Sequence, residues 1–125
     1  MDVTPLLPEG LQVIEGYGAG KFRISNIVYN SPVIVFPEFC VEWGGFDTDN
    51  VCVDSFSDIF NYEIKPDILL VGSGATTIFF PGVTRDKLRT KGVVIDVMNT
   101  GAACRTYNVL LTEGRSVAAA LLPID

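Results

Sequence analysis

The chain has 125 residues, 48% of them hydrophobic, and its 15 acidic against 9 basic side chains give a formal net charge of −6 at pH 7. This length fits one hydrophobic core, so we expect a single domain over residues 1–125, with residues 1–10 as an irregular lead-in. The negative charge excludes nucleic acid as an expected partner, because phosphate binding depends on Lys and Arg.

Histidine is absent, and the three cysteines are Cys40, Cys52 and Cys104. A serine triad, a Cys-His dyad and a typical zinc site all require histidine, so we expect no catalytic residue, no metal and no cofactor. The odd number and wide spacing of the cysteines indicate a reducing compartment without a disulfide framework.

The apolar residues occur in short runs. These runs are about four to seven residues long, whereas a membrane helix needs roughly 18. Asp2 stands where a secretory signal would carry a base, and no apolar segment of signal type follows. We therefore expect no membrane span and a cytoplasmic location.

The first third of the chain has the pattern of antiparallel strands. Residues 11–17 and 21–24 predict a β-hairpin around Gly18-Ala19-Gly20, and the second of these runs alternates polar and apolar residues. Residues 27–35, interrupted by a proline, and residues 39–43 continue the strand pattern.

The middle of the chain predicts a short helix and a buried strand. Asp54 would cap a helix over residues 54–60. The apolar run at residues 67–71 ends abruptly in Gly72-Ser73-Gly74, which is typical of a strand buried on both faces of an α/β sheet. We expect it to be the central strand.

The remaining predicted elements are helix, strand, helix and strand over residues 85–89, 93–98, 102–113 and 117–122. Thr84 would cap the first of these helices, Asn99-Thr100-Gly101 opens the second, and Gly92 and Gly114 follow their ends. The strand at residues 93–98 is expected to be buried. Two strand-helix-strand steps predict an α/β sheet covered by helices, to which the first third adds an antiparallel portion.

Four segments carry a resemblance to a known family, namely residues 69–74, 96–100, 102–110 and 113–115. They resemble the small-protein family that includes mitochondrial complex I assembly factor 3 and uncharacterised bacterial and archaeal relatives, over roughly residues 11–123. The resemblance implies a three-layer domain with a central mixed sheet, helices and an additional β layer. It implies no settled enzymatic role, and for the mitochondrial members it implies assembly through protein contacts. Whether a complex I role applies to this chain stays open.

Two glycine-bearing corners form the candidate ligand site. Gly72-Ser73-Gly74 and Asn99-Thr100-Gly101 each follow a predicted strand, and ligands of open α/β sheets bind outside the carboxyl ends of the strands. If the strands are neighbours, the corners border one crevice, and the start of the following helix suits an anion. Alternatively, the first corner is a structural turn and Thr100 only caps a helix.

Arg105 and Asn108 are three residues apart on the longest predicted helix and therefore share a face. They could present a guanidinium and an amide to a carboxylate or phosphate. Alternatively, Arg105 pairs with an acid such as Asp96, and Asn108 bonds the backbone. Cys104 could be a reactive thiol at the start of the helix or a packed core residue.

Charges and aromatic residues suggest a surface for another protein. Residues 38–67 hold eight acids and one base, whereas residues 85–91 hold four bases and one acid. This asymmetry could steer a partner or simply face water. Four aromatic residues near the acidic stretch could form an interaction patch or belong to the core: Trp43, Phe46, Phe56 and Phe60.

These observations favour a non-enzymatic binding or assembly module that acts through protein contacts. The alternative is a small-molecule or anion-binding domain, with weak catalysis as an option, that uses the crevice between the two corners. The identity of the ligand or partner and the oligomeric state stay open.

Overall fold

Two β-sheets are present in the computed structural model, which describes residues 10–62 and 65–125, so the expected lead-in lies outside the described residues except for Gly10. The first sheet is antiparallel and contains β1 (Ile14–Gly18), β2 (Lys21–Ile24) and β3 (Ile27–Tyr29), in that order. The predicted hairpin is therefore present. Its turn holds Ala19 at a φ of 52°, between two glycines that are also at positive φ.

The second sheet is mixed and has five strands: β4 (Val33–Val35), β5 (Cys40–Glu42), β6 (Ile68–Gly72), β7 (Val94–Met98) and β8 (Val117–Leu121). Their spatial order is β5-β4-β8-β6-β7, with β8, β6 and β7 parallel and β4 and β5 antiparallel. The prediction that β6 is the central strand is wrong, because β8 returns between β4 and β6 and takes the middle position. The prediction that β7 is buried is also wrong: it is an edge strand on which Val94 and Asp96 are exposed.

Three helical segments connect or cover these strands: a 3-10 helix (Val53–Asn61), α1 (Gly82–Thr90) and α2 (Thr100–Thr112). The predicted helix at residues 54–60 is thus of the 3-10 type, and Asp54 lies inside its first turn instead of capping it. Thr84 is likewise not a cap, because α1 already begins at Gly82 and buries Thr84. Both predicted strand-helix-strand steps are present, as β6-α1-β7 and β7-α2-β8.

Strand alternation divides the core into two halves, one on each face of the mixed sheet. On one face, Leu70 joins α2 and the three-stranded sheet in a cluster that includes Phe22 and Tyr107. On the other face, Leu69 and Val71 pack with α1, the 3-10 helix and several aromatic residues. The predicted α/β fold with a central mixed sheet, helices and an added β layer is confirmed.

The aromatic residues near the acidic stretch belong to the second half of the core. Trp43 and Phe56 are buried, and their ring centroids lie 5.5 Å apart. Phe46 packs against both of them, and Phe60 is partly buried against the same cluster. Of the two alternatives, an interaction patch or the core, the structure therefore shows that these rings belong to the core. Over the residues described, no helix has the length and apolarity needed to cross a membrane.

Candidate functional site

The two glycine-bearing corners lie side by side. β6 and β7 are parallel neighbours with Gly72 in register with Met98, so both corners leave the same edge of the sheet. The Thr100 N–H donates to the Gly74 carbonyl at 2.8 Å, and the Gly74 N–H donates to Thr100 Oγ1 at 2.9 Å. The Thr100 hydroxyl itself donates to the Leu122 carbonyl at 2.6 Å. The corners therefore bond to each other and to the end of β8.

Gly72 and Ser73 show why the first corner has this sequence. A methyl group on Gly72 would lie 2.9 Å from Leu121 Cδ2 and 3.0 Å from Thr100 Oγ1, so only glycine fits here without a shift of its neighbours. Ser73 is buried, and its hydroxyl donates to the Thr76 carbonyl at 2.6 Å. Its hydroxyl proton is thus engaged inside the turn.

The second corner starts α2 and is covered from outside. Asn99 Oδ1 accepts the Ala102 N–H at 2.9 Å, so this side chain caps the helix. A methyl group on Gly101 would lie only 2.6 Å from the Tyr17 hydroxyl oxygen, which places the Tyr17 ring directly against the first turn of α2. Glycine at position 101 therefore lets β1 approach the start of this helix.

Arg105 and Asn108 both face β1 but differ in burial. Arg105 is exposed, and its Nη1 donates to the Tyr17 hydroxyl at 2.9 Å. The considered pairing of Arg105 with Asp96 is wrong, since no ion pair joins these two side chains among the described residues. Asn108 is only 4% exposed, and its amide accepts the Ile14 N–H at 3.1 Å and donates to the Ile14 carbonyl at 2.8 Å. The alternative that Asn108 bonds the backbone is therefore observed.

The cysteine that precedes Arg105 has the environment of a core residue. Cys104 is fully buried, and burial raises the pKa of its thiol to about 12, although the neighbouring Arg105 lowers it slightly. Burial likewise raises the pKa of the partly buried Cys40 thiol to about 11. Both thiols are therefore neutral near pH 7, and neither has the lowered pKa of a nucleophilic cysteine.

The sequence did not indicate the role of Tyr17 or two surface cavities. A shallow groove of about 240 Å³ crosses the three-stranded sheet next to Tyr17 and is bordered by Lys21 and Arg23. A second cavity of about 300 Å³ lies at the far end of α2, between Glu38 and Arg115. The groove is lined by residues 16–28 alone, whereas the second cavity combines residues from distant parts of the chain and has no local motif by which it could be found.

A comparison with protein families identifies the chain. The model of the family described as "Protein of unknown function (DUF498/DUF598)" matches residues 14–122. The chain belongs to this family. The match includes both corners, Arg105 and Asn108, and the resemblance stated from the sequence is confirmed.

Similar proteins occur in a bacterium and in animals. An uncharacterised protein from Rhodobacter capsulatus is 38% identical over 115 residues, which cover 92% of this chain and 87% of that protein. The human NADH dehydrogenase [ubiquinone] 1 alpha subcomplex assembly factor 3 is 31% identical over 110 residues, or 88% of this chain. The match covers only 60% of the human protein, so that protein has further sequence outside the shared domain.

Solved structures also contain this fold. The crystal structure of a Bordetella parapertussis protein superimposes with a TM-score of 0.82 at 29% identity, and the match covers 93% of this chain and 99% of that one. The arrangement of two sheets and helices is thus shared by nearly the whole length of both proteins.

Proposed function

We propose that this protein is a binding or assembly module that acts through protein contacts in the cytoplasm. The assembly factor among its relatives supports the proposal, since assembly factors act on other proteins. Cys52 is a free and exposed cysteine, which supports the proposed location in a reducing compartment such as the cytoplasm.

Exposed apolar side chains at the entrance to α1 carry this proposal. Phe79 is 86% exposed and lies three residues before α1, and Val83 is 66% exposed in the first turn of that helix. The adjacent Phe80 is buried in the core, so Phe79 contributes area to the surface that the core does not use. Burying a phenylalanine side chain contributes about 1.5–3 kcal/mol, which a partner covering Phe79 would gain. We call Phe79 and Val83 together the apolar entrance of α1.

Affinity capture from native cells tests this proposal. The wild-type chain is compared with the double variant Phe79→Ser/Val83→Ser and with the control Val109→Ser, which alters a 55% exposed valine on the helix that covers the opposite face of the sheet. We expect the wild type and the control to retain a reproducible protein partner and the double variant to lose it. All three should have similar thermal stability, because exposed substitutions usually change stability by no more than about 0.5 kcal/mol. Absence of any partner, or equal capture by the double variant, would contradict the proposal.

A second candidate function is anion binding beside the two corners. The exposed Arg105 guanidinium, oriented by Tyr17, supports it, since a guanidinium fork suits carboxylates and phosphates. The polar groups of Gly74 and Thr100 already bond within the protein, so Arg105 would make the main contact. A thermal-shift screen of carboxylates and phosphates tests this candidate, with Arg105→Ala as the variant and Arg115→Ala as the control at the far end of α2. Loss of ligand stabilisation in Arg105→Ala alone is expected, and equal stabilisation of all three proteins would rule the site out.

A further inference from the structure

The outer edge of β7 presents backbone groups that the sheet does not use. β7 is the last strand of the five-stranded sheet, and among the strands that the structure describes it pairs only with β6. The Val94 N–H donates to the Asp67 carbonyl, and the Met98 carbonyl accepts from Ser73, so even-numbered residues of β7 bond to β6. Because backbone groups alternate along a strand, those of Ile95 and Val97 point away from the sheet.

The described residues cover only part of this outer edge. Arg85 of α1 donates from Nη1 to the Ile95 carbonyl at 3.2 Å, and the Val93 N–H donates to the Leu88 carbonyl at 3.3 Å. In residues 10–62 and 65–125, no hydrogen bond is found for the Ile95 N–H or for either backbone group of Val97. An extended chain alongside β7 would supply the missing partners.

The two faces beside this edge differ in chemistry. On the α1 face, Arg85 reaches the edge, and Arg89, four residues later, lies on the same side of the helix. Arg89 Nη1 also lies 4.0 Å from Asp86 Oδ1 in an exposed ion pair, which an acidic partner would have to compete with. On the opposite face, Val94 is 59% exposed. Asp96, which is also exposed, lies on the same face as Val94. A strand added at this edge would therefore place alternate side chains beside the two guanidinium groups and beside Val94 and Asp96.

We propose that β7 accepts an extended segment of a partner protein as a sixth strand of the sheet, with acidic side chains toward Arg85 and Arg89 and apolar ones beside Val94. This inference rests on the proposed function and names the kind of partner segment. A second copy of this chain is a poorer occupant, because pairing β7 with β7 would bring the basic α1 helices of two molecules together. Charge complementarity therefore favours an acidic segment.

A peptide titration of the isotope-labelled full chain tests the proposal. The probe is an end-blocked hexapeptide of alternating Glu and Val, and the control peptide has Lys in place of Glu. With the Glu peptide at millimolar concentration, the amide signals of Ile95 and Val97 should shift and their hydrogen exchange should slow. The Val94 amide, which already bonds to β6, should keep its exchange rate. We expect at least tenfold weaker binding of the Lys peptide, and a smaller difference between the peptides in Arg85→Gln/Arg89→Gln.

Two further measurements separate strand addition from a side-chain contact. Methylation of alternate amides of the Glu peptide should abolish its binding, because it removes donors without changing the protein. Val97→Pro removes an outward N–H and no hydrogen bond of the sheet, so it should block binding, whereas Val97→Ala should not.

The proposal is overturned if Ile95 and Val97 do not respond, if both peptides bind equally, or if the methylated peptide binds as well as its parent. The capture experiment above tests the proposed function separately. If a partner is captured but the Ile95 and Val97 amides do not respond to the peptide, only strand addition is rejected. If no partner is captured, the proposed function itself is rejected.

Discussion

Asn108 joins α2 to the three-stranded sheet, and its removal is expected to be costly. Its amide makes two hydrogen bonds to Ile14, a residue 94 positions away on the edge of the three-stranded sheet. Asn108→Ala leaves the Ile14 N–H and carbonyl without these partners. A buried polar group left unsatisfied costs about 1–3 kcal/mol, so we expect the free energy of unfolding to fall by roughly 2–5 kcal/mol. This is a large part of the ~5–15 kcal/mol that stabilises a typical domain.

Urea denaturation followed by far-UV circular dichroism and by fluorescence of Trp43, the only tryptophan, measures this loss. The matched control is Thr112→Ala, which removes an exposed hydroxyl that donates to the Asn108 carbonyl at 2.8 Å and should cost below about 1 kcal/mol. A change below about 0.5 kcal/mol in Asn108→Ala would refute the reasoning, because it would mean that these bonds do not hold β1 against α2.

The variant Asn108→Asp gives the same site a pH dependence. A carboxylate can still accept the Ile14 N–H, but its second oxygen would face the Ile14 carbonyl. Burial and this repulsion should raise the pKa of the new carboxyl above its unfolded value of about 3.9. The variant is then more stable while this carboxyl group is protonated, and that stability is lost as the pH rises through the folded pKa. The variant should therefore be closer to the wild type near pH 4 than at pH 7, and the opposite order would contradict this account.

Two further predictions concern close packing and a buried thiol. Gly72→Ala should destabilise the fold by about 1–3 kcal/mol in urea titrations, because the new methyl group meets Leu121 and Thr100, whereas Gly44→Ala, with open space around it, should be nearly neutral. Equal stability of the two variants would reject the close-approach argument. The pKa of Cys104 is raised from 9.0 to about 12, so the unfolded chain releases this proton first and stability should fall as the pH rises from 9 to 12. Denaturation across that range should show a shallower fall in Cys104→Ala, and an unchanged slope would contradict the assigned burial.

Local patterns were sufficient to predict most elements of this fold. The alternation in β2 and the apolar runs of β6 and β8 reflect side-chain periodicity, which depends on the strand itself. Glycines also mark the ends of helices, since Gly92 and Gly114 follow α1 and α2 and both have a positive φ. Such signals lie within a few residues of the feature that they determine.

Strand order and helix type depended on contacts that no local pattern contains. β6 has the most hydrophobic sequence pattern, yet β8 occupies the middle of the sheet, because the return of the chain from α2 determines which strands pair. The segment Val53–Asn61 has a helical distribution of apolar residues but takes the tighter 3-10 form while it packs Phe56 and Ile59 into the core.

The candidate site was predictable only in part for the same reason. The meeting of the two corners follows from parallel neighbouring strands, and the sequence predicted it on the condition that the two strands are neighbours. The contacts of Tyr17 with Gly101 and Arg105 join residues more than 80 positions apart, so they appear only in the folded chain. The apolar entrance of α1 was also unforeseen, because Phe79 and Phe80 are identical neighbours of which only one is buried.

Photo-crosslinking inside growing cells most directly tests the claim that this protein works by contacting another protein. A photoreactive phenylalanine analogue is placed at Phe79 and, in a separate control, at Val109. The account predicts one defined adduct with another protein from position 79 and none from position 109. No adduct from position 79, or the same adduct from both positions, would contradict it.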